Sequence, residues 1–180
     1  MPGTGWQIRK ISDGEVDLFR QIRLDALKNE PNAFASRYED WDGFPDAEWR
    51  KRMTVPIFVA FAEKQPVGLM ALKQLQPPKM KHRAKLEMVY VNEGFRGTGL
   101  GGALLCKVVQ FAEQQGIKQI ELGVREDRAG TIRFYRRAGF MQIGKVPQGY
   151  IEDGVEFNEI LMVKRLNVDA DTLSATRLIY

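Results

Sequence analysis

The sequence predicts a single-domain α/β protein in which strands and helices follow one another along the chain. A length of 180 residues, with 44% hydrophobic and 28% charged residues, is typical of one globular domain with its own core. Patterns of period two and of helical period succeed each other, and a glycine-rich turn separates one strand pattern from a helix pattern. We therefore expect one domain over residues 1–166, followed by a tail at 167–180 that has no obvious pattern.

The chain is predicted to begin with a strand and an amphipathic helix. Gln7–Ile11 is the first strand candidate. Ser12 and Glu15 have the spacing of a capping box in front of apolar residues at helical intervals, so a helix is expected to start there. Pro31 disfavours helical backbone at its predecessor, which places the end of this helix near Asn29.

The middle of the chain changes from helical to strand periodicity. Asn32–Phe44 is loop-like with several aromatic residues, and Asp46–Met53 is predicted to be a short capped helix. Ile57–Ala62 and Val67–Leu75 are rich in strand-forming residues and are joined by a short polar turn, which predicts a hairpin. Leu86–Val91 alternates in polarity and is the next strand.

The last part of the chain is predicted to contain two helices and three strands. Leu100–Gln115 has apolar residues at helical spacing and ends before a glycine that suits a helix C-terminus. Ile120–Val124 alternates as a strand, and Arg128–Ala138 is a helix that another glycine closes. Phe140–Val146 and Val155–Leu166 are the final strands.

Positive charge is concentrated in two segments. The net charge is +4, from 27 Lys and Arg against 23 Asp and Glu, and four basic residues alternate between residues 79 and 85. Arginines outnumber acidic residues between Arg125 and Arg137. Such clusters suit an anionic ligand or a solvated surface. Neither cluster has the interleaved aromatic residues, or the zinc or helix-turn-helix spacing, of a dedicated nucleic-acid binder, so nucleic acid is not predicted as a partner.

The sequence has no features of a membrane or secreted protein. Its apolar stretches fall far short of the roughly 20 residues of a membrane span, and the N-terminus has no basic region followed by an apolar run. Cys106 is the only cysteine, which excludes an intrachain disulfide and leaves no thiolate cluster for zinc. We therefore expect a cytoplasmic protein with no bound metal and no membrane partner.

The segment Arg96-Gly97-Thr98-Gly99-Leu100-Gly101-Gly102 lies between a predicted strand and a predicted helix. Its four glycines remove Cβ atoms where the backbone turns, so several N–H groups can point into one concavity at the positive end of the helix. Walker and Rossmann phosphate loops fit less well, because no Gly-Lys-Ser/Thr follows and Glu121 lies at the start of its strand. The segment predicts a phosphate-binding turn, with an ordinary tight turn as the alternative.

The stretch from Val89 to Gly101 resembles motif A of the GNAT acyltransferase superfamily, in which Arg/Gln-x-x-Gly-x-Gly/Ala follows a central strand. Further along, Phe134-Tyr135-Arg136-Arg137-Ala138-Gly139-Phe140 is similar to the second signature of that family, a tyrosine on a helix followed by Gly-Phe at the next strand. Val155–Leu166 resembles the closing strand of the family. The resemblance runs from Ile8 to Leu166 and is most specific over residues 86–140.

This resemblance implies a mixed, mostly antiparallel central sheet with helices on both faces, splayed between two parallel strands at Leu86–Val91 and Ile120–Val124. It implies acetyl-CoA in the splay, with the pyrophosphate on the glycine-turn amides and the pantetheine arm along the first of these strands. Arg128 stands where the family usually has an asparagine, and its guanidinium is expected to reach a phosphate or an amide oxygen instead. The implied cofactor-binding residues are Val89, Tyr90, Val91, Arg96, Gly97, Thr98, Gly99, Leu100, Gly101, Gly102 and Arg128.

Acetyl transfer to an amine needs a base, because an alkylamine with a pKa near 10 is charged at pH 7. The resemblance implies Glu87 as that base. By strand alternation Glu87 shares a face with Val89 and Val91, an apolar setting that is expected to raise its pKa. The alternative is that Glu87 faces solvent or pairs with a basic side chain. Tyr135 is the implied proton donor to the leaving sulfur, and an ordinary packed tyrosine is its alternative.

At Gly123 the sequence differs from the branch of the family that acetylates protein N-termini. A glutamate often occupies the matching position in that branch, and glycine cannot accept a proton. Acetylation of ribosomal proteins is therefore less expected. Glu121 lies two residues earlier on the same strand face and is a reserve candidate for the base.

The acceptor site is poorly specified by the sequence. Four aromatic and four acidic residues form either a mouth for a cationic amine or a hydrophobic cluster over the core: Trp41, Phe44, Trp49 and Tyr150, with Asp40, Asp42, Glu152 and Asp153. We expect an N-acetyltransferase that acts on a primary amine of a small molecule or peptide. The alternative is a non-catalytic acyl-CoA-binding or regulatory module of the same fold. The resemblance also admits a homodimer.

Overall fold

Seven strands form one mixed sheet in the computed structural model, which describes residues 5–166. The sheet order is β1-β2-β3-β4-β5-β7-β6, and every neighbouring pair is antiparallel except β4 and β5. This confirms the predicted mixed, mostly antiparallel sheet. The predicted tail at 167–180 lies outside the described residues. The strands are β1 (Trp6–Lys10), β2 (Ile57–Ala62), β3 (Gln65–Gln74), β4 (Arg83–Val91), β5 (Gln119–Arg125), β6 (Met141–Glu152) and β7 (Val155–Arg165).

Helices cover both faces of the sheet, as predicted. The helices are α1 (Val16–Asn29), α2 (Glu39–Asp42), α3 (Asp46–Arg52), α4 (Leu100–Gln114) and α5 (Ala129–Arg137). Buried residues of α1, α2 and α3 share a core with one face of β2 and β3, which we call the α1 face. Buried residues of α4 and α5 form the core on the other face, the α4 face. No helix between residues 5 and 166 combines the length and apolarity needed to cross a membrane.

The parallel strands β4 and β5 separate after a short paired segment. Their ladder contains only three residue pairs, the last of which joins Lys85 to Glu121. Beyond it, residues 86–91 of β4 have no partner in β5, whereas β5 continues to pair with β7 as far as Arg125. The sheet is therefore splayed between the two predicted strands. We call this opening the β4–β5 gap.

Several element boundaries differ from the sequence predictions. The helix α1 begins at Val16 and not directly after Ser12. Glu15 accepts a hydrogen bond from the Ser12 backbone N–H at 2.8 Å, but the Ser12 hydroxyl donates to the same carboxylate at 3.0 Å and so caps no helix N–H. Only the glutamate half of the predicted capping box forms. The helix α2 lies inside the stretch predicted to be a loop. The strand β6 runs past Val146 to Glu152, because a proline is tolerated at a bulge of an edge strand.

Candidate active site

The glycine turn, residues 97–102, has a backbone that only glycine adopts easily at two positions. Gly97 has φ +75° and Gly99 has φ +94°, values that strain other residues. A Cβ built on either residue, or on Gly102, would meet nothing within 4 Å. The turn therefore presents bare backbone to open space at the start of α4.

The backbone amides of this turn are available to a ligand. Among the described residues, the N–H groups of residues 97–102 have no hydrogen-bond partner, and the first amide with one is Ala103, which donates to Gly99 at 3.0 Å. The first N–H groups of a helix always lack intrahelical partners, and the macrodipole adds partial positive charge there. Six consecutive free amides beside a helix N-terminus can bind a diphosphate.

Arg96 and Thr98 hold the backbone of the turn in place. The Arg96 Nε donates to the Val91 carbonyl oxygen at 3.1 Å, and its guanidinium pairs with Glu30. The Thr98 hydroxyl donates to the Phe95 carbonyl oxygen at 2.7 Å. The side chains of these two predicted cofactor-binding residues are thus bonded to protein groups.

A β-bulge in β4 changes the face on which Glu87 lies. Glu87 is paired with Ala71 and Tyr90 with Leu69, so two residues of β4 stand opposite one residue of β3, and Met88 has φ +55°. Cross-strand partners point to the same face, and Ala71 belongs to the core on the α1 face. Glu87 therefore shares a face with Tyr90. The prediction that it shares a face with Val89 and Val91 was wrong, because the bulge interrupts the alternation.

Glu87 is half-buried and faces a buried arginine of α1. Arg23 is 4% exposed, and its guanidinium lies 4.6 Å from the ring centroids of both Phe34 and Trp41. Its Nε and Nη1 have no hydrogen-bond partner among the described residues. Burial lowers the pKa of Arg23 to about 10, and the negative charge of Glu87 opposes that shift. The charge of Glu87 thus acts on Arg23, although no ion pair joins the two side chains among the described residues.

Tyr135 is buried on the α4 face of the sheet. Its ring packs against Phe134 and Phe140 at centroid distances of 5.1 and 5.3 Å, and burial raises the pKa of its hydroxyl. A Cβ built on Gly101 would lie 3.7 Å from the Phe134 ring. Phe134 of α5 therefore contacts the first turn of α4, and Tyr135 packs against Phe134 on that side of the sheet.

The basic segment after β5 is only partly available to an anion. Arg125 is bonded to Asp127 at 2.6 Å and to Glu152 at 2.5 Å, and its side chain is 9% exposed. Arg128, by contrast, has a buried Nε without a hydrogen-bond partner in residues 5–166. The arginines of α5, which begins directly after Arg128, are exposed. Arg125 is thus a structural residue, and Arg128 keeps an N–H for a ligand.

Glu121 is a weaker candidate for the base than the sequence indicates. Its carboxylate accepts a hydrogen bond from the Arg83 guanidinium, and this bond lowers the pKa of Glu121. A lower pKa makes a carboxylate a poorer proton acceptor. The pair lies at the closed end of the β4–β5 gap.

Of the two alternatives for the aromatic residues, the hydrophobic cluster forms and the mouth does not. Trp49 is fully buried and Trp41 is 7% exposed, and their rings pack on each other and on Phe19 and Phe44. Trp41, Phe44 and Trp49 therefore belong to the hydrophobic cluster over the core. Tyr150, on β6, lies elsewhere and donates a hydrogen bond to Glu159 at 3.2 Å.

Three residues beside the gap were missed by the sequence analysis. The Met88 bulge and the buried Arg23 leave no recognisable mark in a single sequence. Glu159 does leave one, because a glycine inside the strand pattern, at Gly123, indicates close approach of another group. In the structure that group is the Glu159 side chain.

Comparisons with known proteins agree with this geometry. Residues 19–140 match the family model described as the acetyltransferase (GNAT) family. An uncharacterized N-acetyltransferase of Methanocaldococcus jannaschii is 26% identical over 163 residues, covering 89% of this chain and 67% of that protein. Other curated relatives are matched over smaller shares of their own length, such as 42% and 58%.

Solved structures show the same fold. A GNAT-family acetyltransferase from Streptococcus pneumoniae superposes with a TM-score of 0.79 at 20% identity, over 89% of this chain and 99% of that chain. The protein yncA of Salmonella typhimurium, solved with its cofactor acetyl-CoA, has a TM-score of 0.76 at 21% identity, over 93% of this chain and 97% of that chain.

Proposed function

Because the chain belongs to the acetyltransferase (GNAT) family, we propose that it transfers the acetyl group of acetyl-CoA to a primary amine of a small molecule or peptide. The observation that carries the proposal is the set of six free amides in the glycine turn, next to a gap between two parallel strands. The acetyl-CoA bound to yncA supports this choice of acyl donor.

In this proposal the glycine turn binds the pyrophosphate of acetyl-CoA. The amides of residues 97–102 donate hydrogen bonds to the anion, and the partial positive charge of α4 stabilises it without a lysine. Arg128 donates its free Nε–H to a phosphate or amide oxygen. The unpaired edge of β4 at Val89, Tyr90 and Val91 lies beside the pantetheine arm, which is bound as an added strand.

Glu87 acts as the base in this proposal. The acceptor arrives as R–NH₃⁺ and gives one proton to the Glu87 carboxylate, which passes it to solvent. The neutral nitrogen attacks the thioester carbon, so that a C–N bond forms and the C–S bond breaks. The position of Glu87 at the wall of the β4–β5 gap supports this role.

Tyr135 acts as the acid. The departing thiolate takes the phenolic proton, and the tyrosine regains a proton from the nitrogen, which loses one when the amide forms. The products are the acetylated amine, CoA with a free thiol, and one proton in solvent. The phenol is protonated at neutral pH, and burial, which raises the pKa of Tyr135, makes it a weaker acid than an exposed tyrosine.

We also propose a cytoplasmic location and a homodimer. Cys106 is an exposed free thiol, which is typical of a reducing compartment. The edge strand β6 exposes Met141, Ile143 and Ile151, and edge pairing of two copies would cover these side chains. Light scattering on purified protein distinguishes a dimer from a monomer.

The proposed function is tested by thiol release from acetyl-CoA with a panel of primary amines, together with calorimetric titration of acetyl-CoA. We expect wild-type turnover, a loss of about a hundredfold or more in kcat for Glu87→Gln, and acetyl-CoA affinity close to wild type in that variant. Glu113→Gln, a carboxylate at the far end of α4, is the control with unchanged kcat. Binding without turnover on any amine would favour the non-catalytic module.

A further inference from the structure

Glu159 reaches across the sheet toward the β4–β5 gap because Gly123 has no side chain. Glu159 belongs to β7, which lies on the side of β5 away from the gap. A Cβ built on Gly123 would lie 3.1 Å from the Glu159 Cγ and 2.7 Å from its Cδ, and would overlap Oε1. The side chain therefore runs over β5, and its carboxylate occupies the space that a residue 123 side chain would fill.

A second glycine holds Glu159 from the other side. In the β6 bulge, a Cβ on Gly149 would lie 2.6 Å from the Glu159 Cβ and 3.1 Å from its backbone nitrogen. The next residue, Tyr150, donates its hydroxyl hydrogen to Oε1 at 3.2 Å. Burial, together with the charge of Glu159, raises the pKa of Tyr150 to about 12, so the phenol remains a donor. Two glycines and a tyrosine thus fix one rotamer of Glu159.

The Glu159 carboxylate is half-buried, and the cation opposite it on β5, Arg125, is bonded to other carboxylates. Within residues 5–166 it forms no salt bridge, whereas the neighbouring Arg125 is bonded to Asp127 and Glu152. Half-burying a carboxylate without a paired cation costs free energy, which a positively charged ligand would offset. The group is therefore suited to bind a cation that comes from outside.

Glu159 and Glu87 border the gap at the same level. The β4–β5 ladder pairs Arg83 with Gln119 and ends at Lys85 and Glu121, so Glu87 and Gly123 are each two residues beyond its last pair, where the strands have separated. Both carboxylates lie on the α1 face, one on β4 and the other above Gly123. A ligand that enters the gap from the α1 face meets a carboxylate on each wall.

We propose that Glu159 binds the ammonium group of the acceptor and so selects cationic primary amines. This proposal rests on the proposed function and adds a second carboxylate to it. An ammonium has three N–H donors, so one can be held by Glu159 while another faces Glu87. Glu159 keeps no proton: one proton passes from nitrogen to Glu87 and to solvent, the C–N bond forms, the C–S bond breaks, and a second proton from nitrogen ends on the CoA sulfur.

The test compares wild type with Glu159→Gln on two amines, benzylamine, which is a cation at pH 7, and aniline, which is uncharged. The amide preserves the volume of the side chain and still accepts from Tyr150. We expect kcat/KM for benzylamine to fall at least tenfold, chiefly through KM, and the fall for aniline to be less than threefold. Glu156→Gln, an exposed carboxylate on the same strand, is the control with unchanged kinetics.

A structural defect would lower both activities equally, so an equal fall, or no fall for benzylamine, overturns the proposal. Gly123→Ala provides a second variant, because its methyl group displaces the Glu159 carboxylate while the glutamate itself is retained. It is expected to show the same selective loss. Equal losses on both amines for Gly123→Ala would count against the proposal as well.

If wild type releases no thiol with any amine, the proposed function fails, and the role of Glu159 is tested by amine binding alone. Affinities of CoA-saturated protein for benzylamine and for its neutral analogue benzyl alcohol are then compared by calorimetry. A preference for benzylamine that falls at least tenfold in Glu159→Gln supports the proposal. No preference, or the same preference in both proteins, overturns it.

Discussion

The Nε of Arg96 donates a hydrogen bond to the carbonyl oxygen of Val91 at 3.1 Å, which joins the end of β4 to the start of the glycine turn. The same guanidinium pairs with Glu30, directly after α1. One side chain therefore connects the α1 helix, the unpaired edge of β4 and the turn. This arrangement makes Arg96 a positioning residue for the amides that follow it.

Replacing Arg96 with methionine is expected to weaken acetyl-CoA binding about tenfold, because the turn loses its bond to Val91. Glu30→Gln removes only a partly exposed ion pair, worth up to about 1 kcal/mol, and should change affinity less than threefold. Calorimetric titration measures both variants. Equal losses in the two variants, or none in Arg96→Met, would show that the Val91 bond does not position the turn.

Alanine variants of two glycines at opposite ends of α4 distinguish an effect on stability from an effect on acetyl-CoA binding. Gly99 and Gly116 have φ of +94° and +71°, and a Cβ on either would meet nothing within 4 Å. Alanine at either position should therefore lower the free energy of unfolding by about 1 kcal/mol through backbone strain alone. Only Gly99→Ala is expected to weaken acetyl-CoA binding as well, because it distorts the free amides. Denaturant unfolding measures the stability of the two variants, and calorimetry measures their affinity for acetyl-CoA. Equal affinities of the two variants would contradict the role of the turn.

Tyr135→Phe is expected to lower kcat by at least tenfold with little change in the affinity for acetyl-CoA. The phenol is the proposed acid, and its pKa is raised by burial, so it holds its proton at neutral pH. Phenylalanine keeps the packing against Phe134 and Phe140. Tyr38→Phe, on the far side of the core, is the matched control. Unchanged turnover in Tyr135→Phe would remove the residue from the mechanism.

Acid stability should depend on Glu15. Its hydrogen bonds to Arg9 and to Ser12 lower the pKa of Glu15 from 4.5 to about 2. A lowered pKa in the folded state adds stability that is complete above the unfolded pKa and is lost as pH falls from about 4.5 to about 2. The pair is partly exposed, so we expect up to about 1 kcal/mol.

Denaturant unfolding at pH 7 and pH 2.5 measures this effect. Wild type should lose more stability between the two pH values than Glu15→Gln does. Glu63→Gln, in the turn between β2 and β3, should behave like wild type. Identical acid sensitivity in wild type and Glu15→Gln would contradict the assignment.

Local sequence patterns predicted the elements but not how they register against one another. The strand β2 has the predicted ends because six consecutive apolar residues need burial on both sides. The sheet face predicted for Glu87 was wrong because a bulge depends on the pairing of β4 with β3, which no local pattern reveals. The Glu159 site was missed for a similar reason, since it joins β7 to glycines of β5 and β6.

The backbone amides of residues 97–102 are the proposed binding site for the pyrophosphate of acetyl-CoA. The most direct test follows amide ¹H–¹⁵N chemical shifts of the full chain during titration with CoA. We expect the largest downfield proton shifts at Gly97, Thr98, Gly99, Leu100, Gly101 and Gly102, as each N–H gains an anionic acceptor. Saturable CoA binding that leaves these six resonances in place would contradict this proposal.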